Sequence, residues 1–344
     1  MVEREVLQGG VTNAGVVIRE GDFVLRPANR RSELIHAFLR YIRAAGFDGV
    51  PQPVGIDSDG RERLVFVPGD VALRPFPAWS RTSRAIASIA ELLARFHAAA
   101  EGFVAPPEAQ WSRELADPSG GDLICHNDVC FENVVFRNGV AVTLLDFDFA
   151  APGRPLFDLA SMARLCVPID APEYAQVLDR EVFDPFQRLR LVADSYGLPP
   201  GREELVSAIE DSMARNCEFV RPRVERGEPG FVERWKLMGG QARFDRRREW
   251  FSQHEVPFTN YHPCVGHTTL KYLTLDHVTS MPSSLEAAYC HSGLEVGPLM
   301  RRPTSAFSSA RVRMVGTSGR LWRGRYQVRE ADVHATTCPV TRIS

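Results

Sequence analysis

Lysine is almost missing from this sequence, because only Lys236 and Lys271 are lysines among its 41 basic residues. An excess of charge is also missing: the net charge is -2, which argues against a general nucleic-acid-binding protein. No apolar run approaches the roughly 20 residues that a membrane-spanning helix needs. The sequence therefore predicts a globular protein without nucleic-acid or membrane partners.

Cysteines are few and irregularly spaced. Their number, seven, is odd, and they do not form the pattern of a disulfide framework. The first residues, Met1 to Glu5, lack the apolar segment of a secretory signal peptide. These features predict reduced thiols and, by default, a cytoplasmic location. The length of 344 residues exceeds one compact core and predicts two domains, or a two-lobed domain with an extension.

Polar residues suited to chemistry are concentrated in residues 123–158. Two apolar runs there lead into acids, Asp128 and Asp146, and Asn133 lies between them. The second run follows an Asn-Gly pair within residues 137–139, and Asn-Gly between apolar runs is the strongest short-range hairpin signal. The returning strand is therefore expected to bring Asp146 beside Asn133.

This arrangement suits phosphoryl transfer, which needs a positioned hydroxyl and metal ions that neutralise charge on the transferred group. Asp128 would accept or orient the proton of the hydroxyl. Asn133 and Asp146 would offer the oxygen ligands that Mg²⁺ prefers. A single Asp or Asn in a turn more often bonds its own backbone, and we interpret Asp148 as such a loop acid. Three residues in register with a returning strand favour the catalytic interpretation.

The same stretch resembles the aminoglycoside phosphotransferase-like family of small-molecule kinases. The matching positions are His126-Asn127-Asp128, Asn133, Leu145-Asp146-Phe147 and Asp158-Leu159-Ala160. The resemblance implies that Asp128 is the catalytic base, that Asn133 and Asp146 bind metal, and that Asp158 is a structural acid. Asn127 departs from the usual glycine, and asparagine is the next best residue at positive φ.

The resemblance covers about residues 1–256 and implies an α+β, bilobal protein-kinase-like fold, with a small antiparallel-sheet N-lobe and a mainly helical C-lobe. Residues 1–68 would form the nucleotide-binding lobe, and residues 69–256 the helical lobe with the catalytic loop and substrate site. The segment 257–344 has five acidic and ten basic residues and little periodicity. We predict that this tail is an atypical, poorly ordered appendage.

Two backbone segments of the first lobe are implied to bind nucleotide. Gly10 lies in a glycine-rich segment whose amides could approach phosphate oxygens, although an ordinary hairpin would explain this segment equally well. The predicted strand Leu64 to Val67, which contains Val65 and Val67, resembles the hinge whose backbone holds the adenine ring. A plain strand and turn would look the same.

A phosphate-binding lysine is the one element of this fold that the sequence lacks. Kinases place it on the strand after the glycine loop, paired with a helix glutamate. The best substitute is Arg26, with Glu33 on the following helix as its partner. Arginine stays charged and can bind phosphate through two N–H groups, but its planar fork differs from a point charge.

Helical periodicity marks much of the remaining sequence. The predicted helices used below are residues 32–46, 83–100, 159–165, 172–182, 185–196, 203–225 and 230–254. His36 is interpreted as a partly exposed surface histidine, and Arg246-Arg247-Arg248 as surface charge.

The function predicted from these features is transfer of the γ-phosphoryl group of ATP or GTP, with Mg²⁺, to a hydroxyl of a small molecule. An aminoglycoside, a similar amino-alcohol or a sugar would be the acceptor. The alternative is a catalytically silent nucleotide- or ligand-binding module of the same fold, which the missing lysine favours. Acyl transfer is a weaker third option, because the sequence has no matching pair of nucleophile and base.

Overall fold

The computed structural model describes residues 4–7, 16–167, 169–174, 184–199 and 202–254, and the backbone of 310–315 and 321–326. The chain divides into two compact units, Met1–His262 and Pro263–Ser344. In the second unit, strands Ala310–Val315 and Leu321–Tyr326 form an antiparallel hairpin. Gly10, the glycine-rich segment and most of the tail lie outside the described residues.

The N-terminal part of the first unit is a five-stranded antiparallel sheet in the order β1-β2-β3-β5-β4. Its strands are β1 (Arg4–Val6), β2 (Ile18–Glu20), β3 (Phe23–Pro27), β4 (Pro53–Ile56) and β5 (Arg61–Val65). Strands β3 and β5 are adjacent although a helix and β4 separate them in the chain, and Arg26 pairs directly with Glu62. Residues on one face of this pair of strands therefore come from distant parts of the sequence.

Helix α1 (Ser32–Ala44) follows β3 and ends two residues before the predicted glycine stop, Gly46, whose φ is 88°. Its apolar positions recur at three- and four-residue steps, and Ile35, Phe38 and Ile42 are all buried. The helix therefore covers the core with one face.

The rest of the first unit is mainly helical. Its helices are α2 (Ser83–Ala100), α3 (Pro155–Cys166), α4 (Pro185–Tyr196), α5 (Glu203–Glu225), α6 (Pro229–Leu237) and α7 (Gly240–His254). Thr82 caps helix α2 at its N-terminus, since its Oγ1 accepts the N–H of Ala85 at 3.2 Å. Helix α2 packs against α4 and against the strand that precedes Asp146. The α+β, two-lobed prediction is confirmed.

Short strands in this helical part form two small sheets. One joins β6 (Asp70–Val71), β8 (Val134–Arg137) and β9 (Val140–Leu144), and the other joins β7 (Leu123–Cys125) and β10 (Ala151–Gly153). Both sheets flank the segment that contains the candidate catalytic residues. None of the helices in the described ranges has the length and apolar composition that crossing a bilayer would need.

Three local predictions were wrong. The single helix expected over residues 230–254 is two helices, because Gly239 and Gly240 both have positive φ, 90° and 62°. Arg247 is buried and donates to the carbonyl oxygen of Arg164 at 2.8 Å, so it is not surface charge. His36 is also buried rather than partly exposed. Of the helix expected over residues 172–182, only a short turn at Pro172–Tyr174 is described.

Candidate active site

The hairpin formed by β8 and β9 brings the two candidate metal ligands together. Asn138 and Gly139 occupy its turn with φ of 53° and 71°, the conformation that Asn-Gly turns adopt. The strands pair from Arg137 opposite Val140 to Val134 opposite Leu144, with a shift of register between Val135 and Phe136. Beyond them the N–H of Leu145 donates to the carbonyl oxygen of Asn133 at 2.8 Å. The predicted hairpin is confirmed, and Asp146 follows directly after this bond.

Asp158, at the start of α3, holds the backbone of the loop that contains Asp128. Its Oδ2 accepts the N–H of His126 at 2.7 Å, and its Oδ1 accepts the N–H of Asn127 at 2.8 Å. The Nε2 of His97 lies 3.0 Å from Oδ2. Asn127 has a φ of 65°, which explains why a residue tolerant of positive φ stands there. These contacts hold the backbone of residues 126 and 127 in place.

The imidazole of His126 connects this loop to the strand that leads into Asp146. Its Nε2 lies 2.8 Å from the carbonyl oxygen of Leu145, and its Nδ1 accepts the N–H of Asp128 at 3.3 Å. This pattern assigns the proton to Nε2 in a neutral ring. Burial agrees with the neutral form, since it lowers the pKa of His126.

The carboxylate of Asp128 lies in a strongly negative environment. Desolvation, followed by repulsion from Asp146, raises the pKa of Asp128 from 3.8 to about 7. Nδ2 of Asn133 donates to the backbone oxygen of Asp128 at 2.9 Å and to its Oδ2 at 3.1 Å. Asp128 is therefore held in place and is balanced between its two protonation states near neutral pH, as suits a general base.

Asp146 and Asp148 share one cation, Arg26 of β3. Nη1 of Arg26 donates to Oδ1 of Asp146 at 2.8 Å, and Nη2 donates to Oδ1 of Asp148. Desolvation, and then repulsion from Asp146, raises the pKa of Asp148. Arg26 therefore lies next to the candidate metal ligand although it is 120 residues away in the chain.

The acid that pairs with Arg26 on the sheet side is Glu62, not Glu33. Nε of Arg26 donates to Oε2 of Glu62 at 3.0 Å, whereas Glu33 is exposed on the first turn of α1. The predicted Arg26–Glu33 pair is wrong because the register of β3 and β5 places Glu62 directly beside Arg26. Ser32 and His36 of α1 contact Glu62 from the other side. The sequence prediction missed Glu62.

Val65 is the last residue of β5, and Val67 lies beyond the strand, so the strand expected to reach Val67 ends two residues earlier. The N–H of Val65 donates to the carbonyl oxygen of Gln52 at 2.9 Å, and the N–H of Phe66 donates to that of Asp22 at 2.8 Å. Val67 lies two residues beyond the end of the strand and is half-buried. The N–H groups of residues 65 and 66 are therefore already bonded within the first lobe where the strand ends.

The side chains around Asp128 fit a divalent cation such as Mg²⁺. Asp146 and Asp148 share one guanidinium, and Asp146 also repels the charge of Asp128, so negative charge is in excess. Carboxylate and amide oxygens are the ligands that hard cations prefer. Because Asn133 directs its Nδ2 toward Asp128, its other amide atom is an oxygen suited to bind a cation. Asp146 and Asn133 would hold the ion, which would neutralise charge on a transferred phosphoryl group.

Arg164 of α3 is a cation near Asp128 that the sequence prediction missed. It is buried, its Nε donates to Oγ of Ser212 at 2.9 Å, and its charge lowers the pKa of Asp128. Burial and the neighbouring Arg247 lower the pKa of Arg164 to about 9. No periodic signal distinguishes a buried arginine from a surface one in this helix.

Solved structures of small-molecule kinases are similar to this chain at low sequence identity. A choline/ethanolamine kinase family protein from Mesorhizobium loti is 17% identical with a TM-score of 0.47, covering 74% of this chain and 92% of that one. The gentamicin complex of APH(2")-IIa is 14% identical with a TM-score of 0.48, covering 72% and 93%.

Sequence comparison identifies the family. The profile described as "Phosphotransferase enzyme family" matches residues 107–191, which include Asp128, Asn133, Asp146 and Asp158. The trifolitoxin immunity protein of Rhizobium leguminosarum bv. trifolii is 30% identical over 252 residues, which are 69% of this chain and 91% of that protein. The chain belongs to the phosphotransferase enzyme family.

Proposed function

We propose that this protein transfers the γ-phosphoryl group of ATP or GTP, with Mg²⁺, to a hydroxyl of a small molecule. The observation that supports this most directly is the contact network around Asp128. Asn133 contacts Asp128, Asp158 holds the loop backbone, and Leu145 connects the loop to Asp146. A base and two oxygen ligands within one hydrogen-bonded unit are the parts that phosphoryl transfer needs.

In this proposal Asp128 orients the acceptor hydroxyl and takes its proton, and Asn133 and Asp146 bind Mg²⁺. Arg26 meets the phosphates in place of the usual lysine. Gly10 would lie against the phosphates, and the chain at Val65 and Val67 would hold the base of the nucleotide. Residues 1–68 then form the nucleotide-binding lobe and residues 69–256 the lobe that binds the acceptor.

Several classes of small molecule are proposed as the acceptor. An aminoglycoside, another amino-alcohol or a sugar offers the hydroxyl that Asp128 could activate. The relative named for immunity to trifolitoxin adds toxins and antibiotics to this set, because adding a phosphoryl group to such a compound could abolish its action. Beside the catalytic loop, Glu132 contacts Arg74 at 3.2 Å and Arg234 at 3.7 Å. An acceptor at Asp128 would therefore meet charges of both signs.

The test is a turnover assay with ATP and GTP plus Mg²⁺ against aminoglycosides, macrolides, amino-alcohols and toxins. Nucleoside diphosphate release and a phosphoryl mass increase on the acceptor are measured together. Asp128→Ala should abolish both signals. Asp122→Asn, at an exposed acid shortly before the catalytic loop, is the matched control and should not.

A silent binding module is the second candidate, and Arg26 at the position of the lysine is the observation that favours it. Such a module would bind nucleotide and produce no phosphorylated acceptor. Asp128→Ala would then leave nucleotide affinity unchanged with no turnover to lose. Phosphorylated product from the wild-type protein would exclude this candidate.

A further inference from the structure

Arg26 is surrounded by three carboxylates, and each nitrogen of its guanidinium group faces a different one. Nε donates to Glu62 at 3.0 Å, Nη1 donates to Asp146 at 2.8 Å, and Nη2 donates to Asp148. Asp148 also accepts Nδ2 of Asn29 at 3.2 Å. The Arg26 side chain is 11% exposed and that of Glu62 is 4% exposed. The guanidinium is therefore fixed on all three sides.

Only an arginine can make this set of contacts. A guanidinium presents its N–H groups in a rigid planar fork, whereas a lysine ammonium is a single point charge on a flexible stem. An ammonium at position 26 could approach one or two of these carboxylates but not all three. The carboxylates around Arg26 are thus arranged for arginine and not for the lysine that this fold ordinarily uses.

Glu62 is itself held by helix α1. Oγ of Ser32 donates to Oε1 of Glu62, and Nε2 of His36 lies 3.6 Å from Oε2. The helix therefore does not supply the acid that pairs with the cation; it supports an acid supplied by strand β5. Cross-strand pairing places the Cα atoms of Arg26 and Glu62 opposite each other, and helix α1 adds support for the Glu62 carboxylate.

We propose that Glu62 is the positioning residue for Arg26, assisted by Asp148, and that this pair replaces the lysine and helix glutamate of related kinases. Glu62 holds Nε, which leaves Nη1 to exchange its contact with Asp146 for a phosphate oxygen of the nucleotide. This inference rests on the proposed nucleotide-dependent function. It means that strand β5 supplies the glutamate that pairs with the cation, whereas kinases of this fold usually take that glutamate from the helix.

The test compares three variants of the full chain: Glu62→Gln, Arg26→Lys and the control Asp59→Asn. Asp59 is an exposed acid in the turn between β4 and β5. Binding of Mg-ADP and Mg-GDP is measured by calorimetry, and the KM values for nucleotide and acceptor are measured separately. Losing a charge-assisted contact to Arg26 should weaken nucleotide binding roughly tenfold or more in the first two variants. Asp59→Asn should bind as the wild-type protein does.

Three readouts distinguish positioning from a general structural effect. The KM for acceptor should stay unchanged while the KM for nucleotide rises. Adding Glu62→Gln to Arg26→Met should cause no further loss, because Glu62 acts through Arg26. Ser32→Ala, which removes one contact to Glu62, should give a smaller loss in the same direction, and it replaces Glu62→Gln in the test if that variant does not fold.

Two results would overturn the inference alone: nucleotide affinity that survives Glu62→Gln, or an Arg26→Lys variant that binds as tightly as the wild-type protein. If Glu33→Gln weakened nucleotide binding and Glu62→Gln did not, Glu33 of helix α1 would be the residue that positions Arg26. A wild-type protein that binds neither nucleotide would instead refute the proposed function. The two failures are therefore distinguishable.

Discussion

Replacing Asp128 by asparagine should stabilise the protein at neutral pH while it removes phosphoryl transfer. The carboxyl of Asp128 is desolvated and lies near Asp146, which raises its pKa from 3.8 to about 7. Asparagine has nearly the same shape and is neutral at every pH. Its side-chain oxygen can still accept Nδ2 of Asn133, which now donates to Oδ2 of Asp128 at 3.1 Å. The substitution therefore removes an unfavourable charge and keeps its hydrogen bond.

The sign and size of the effect follow from proton binding. Because the folded state holds the Asp128 proton more tightly than the unfolded state, the stability that this group contributes is fully present below pH 3.8. That contribution is lost as the pH rises through about 7. A rise in pKa from 3.8 to about 7 corresponds to about 4 kcal/mol as an upper bound. Solvent screening of a partly exposed group reduces this to about 2 kcal/mol, which corresponds to a Tm increase of roughly 4–8 °C.

The assay is thermal and urea unfolding of wild type and Asp128→Asn from pH 4 to 8.5, with a chelator present so that no divalent cation neutralises the site. The stability difference should widen as the pH rises toward about 7 and then remain constant. Asp122→Asn is the control, and as a surface change it should alter stability by less than about 0.5 kcal/mol at every pH. Equal stability of Asp128→Asn and wild type at pH 8 would refute the proposed electrostatics.

Four further outcomes follow from the same contacts. Asp158→Asn should destabilise the protein by about 3 kcal/mol or more in urea unfolding. The reason is that one amide oxygen cannot replace a carboxylate that accepts two backbone N–H groups and contacts His97. A loss of stability below about 1 kcal/mol would contradict this. Gly139→Ala should cost only about 1 kcal/mol, since its φ of 71° is strained for alanine but no atom lies within 4 Å of the added Cβ. Gly69→Ala should cost more than Gly139→Ala in the same assay, because its Cβ would lie 2.5 Å from Cγ1 of Val135; the reverse order would contradict the packing described here. Finally, kcat/KM measured with Mg²⁺ should rise with pH and level off at or below about 7, because Asp128 must be ionised to act as a base and a bound cation favours the ionised carboxylate; activity that falls as the pH rises from 5 to 8 would count against that role.

Local sequence was sufficient to predict the grouping around Asp128. The Asn-Gly turn at residues 138 and 139 defines the hairpin, and the hairpin places Asn133 near Asp146 without reference to the rest of the fold. Helix α1 was equally predictable, because its apolar period and the stop at Gly46 lie within one segment. Each of these features depends on residues that are close together in the chain.

Contacts between distant segments could not be predicted in the same way. The Arg26–Glu62 pair joins residues 36 apart and depends on β3 pairing with β5, a strand that is not its neighbour in sequence. His36 is buried because it lies on the face of helix α1 that contacts Glu62. That face is polar, so the spacing of apolar residues in the helix does not reveal that His36 is buried. One error was avoidable, because Gly239-Gly240 is a visible signal for the break between α6 and α7.

The most direct test of the central claim is the search for a phosphorylated acceptor. Wild-type protein, Asp128→Ala and Asp122→Asn are incubated with Mg²⁺, nucleotide labelled at the γ-phosphoryl group and the acceptor panel. We predict that label appears on an acceptor with wild type and Asp122→Asn and is absent with Asp128→Ala. Label transfer that persists in Asp128→Ala would contradict the role of Asp128. Tight nucleotide binding without labelling of any acceptor would favour the silent binding module instead.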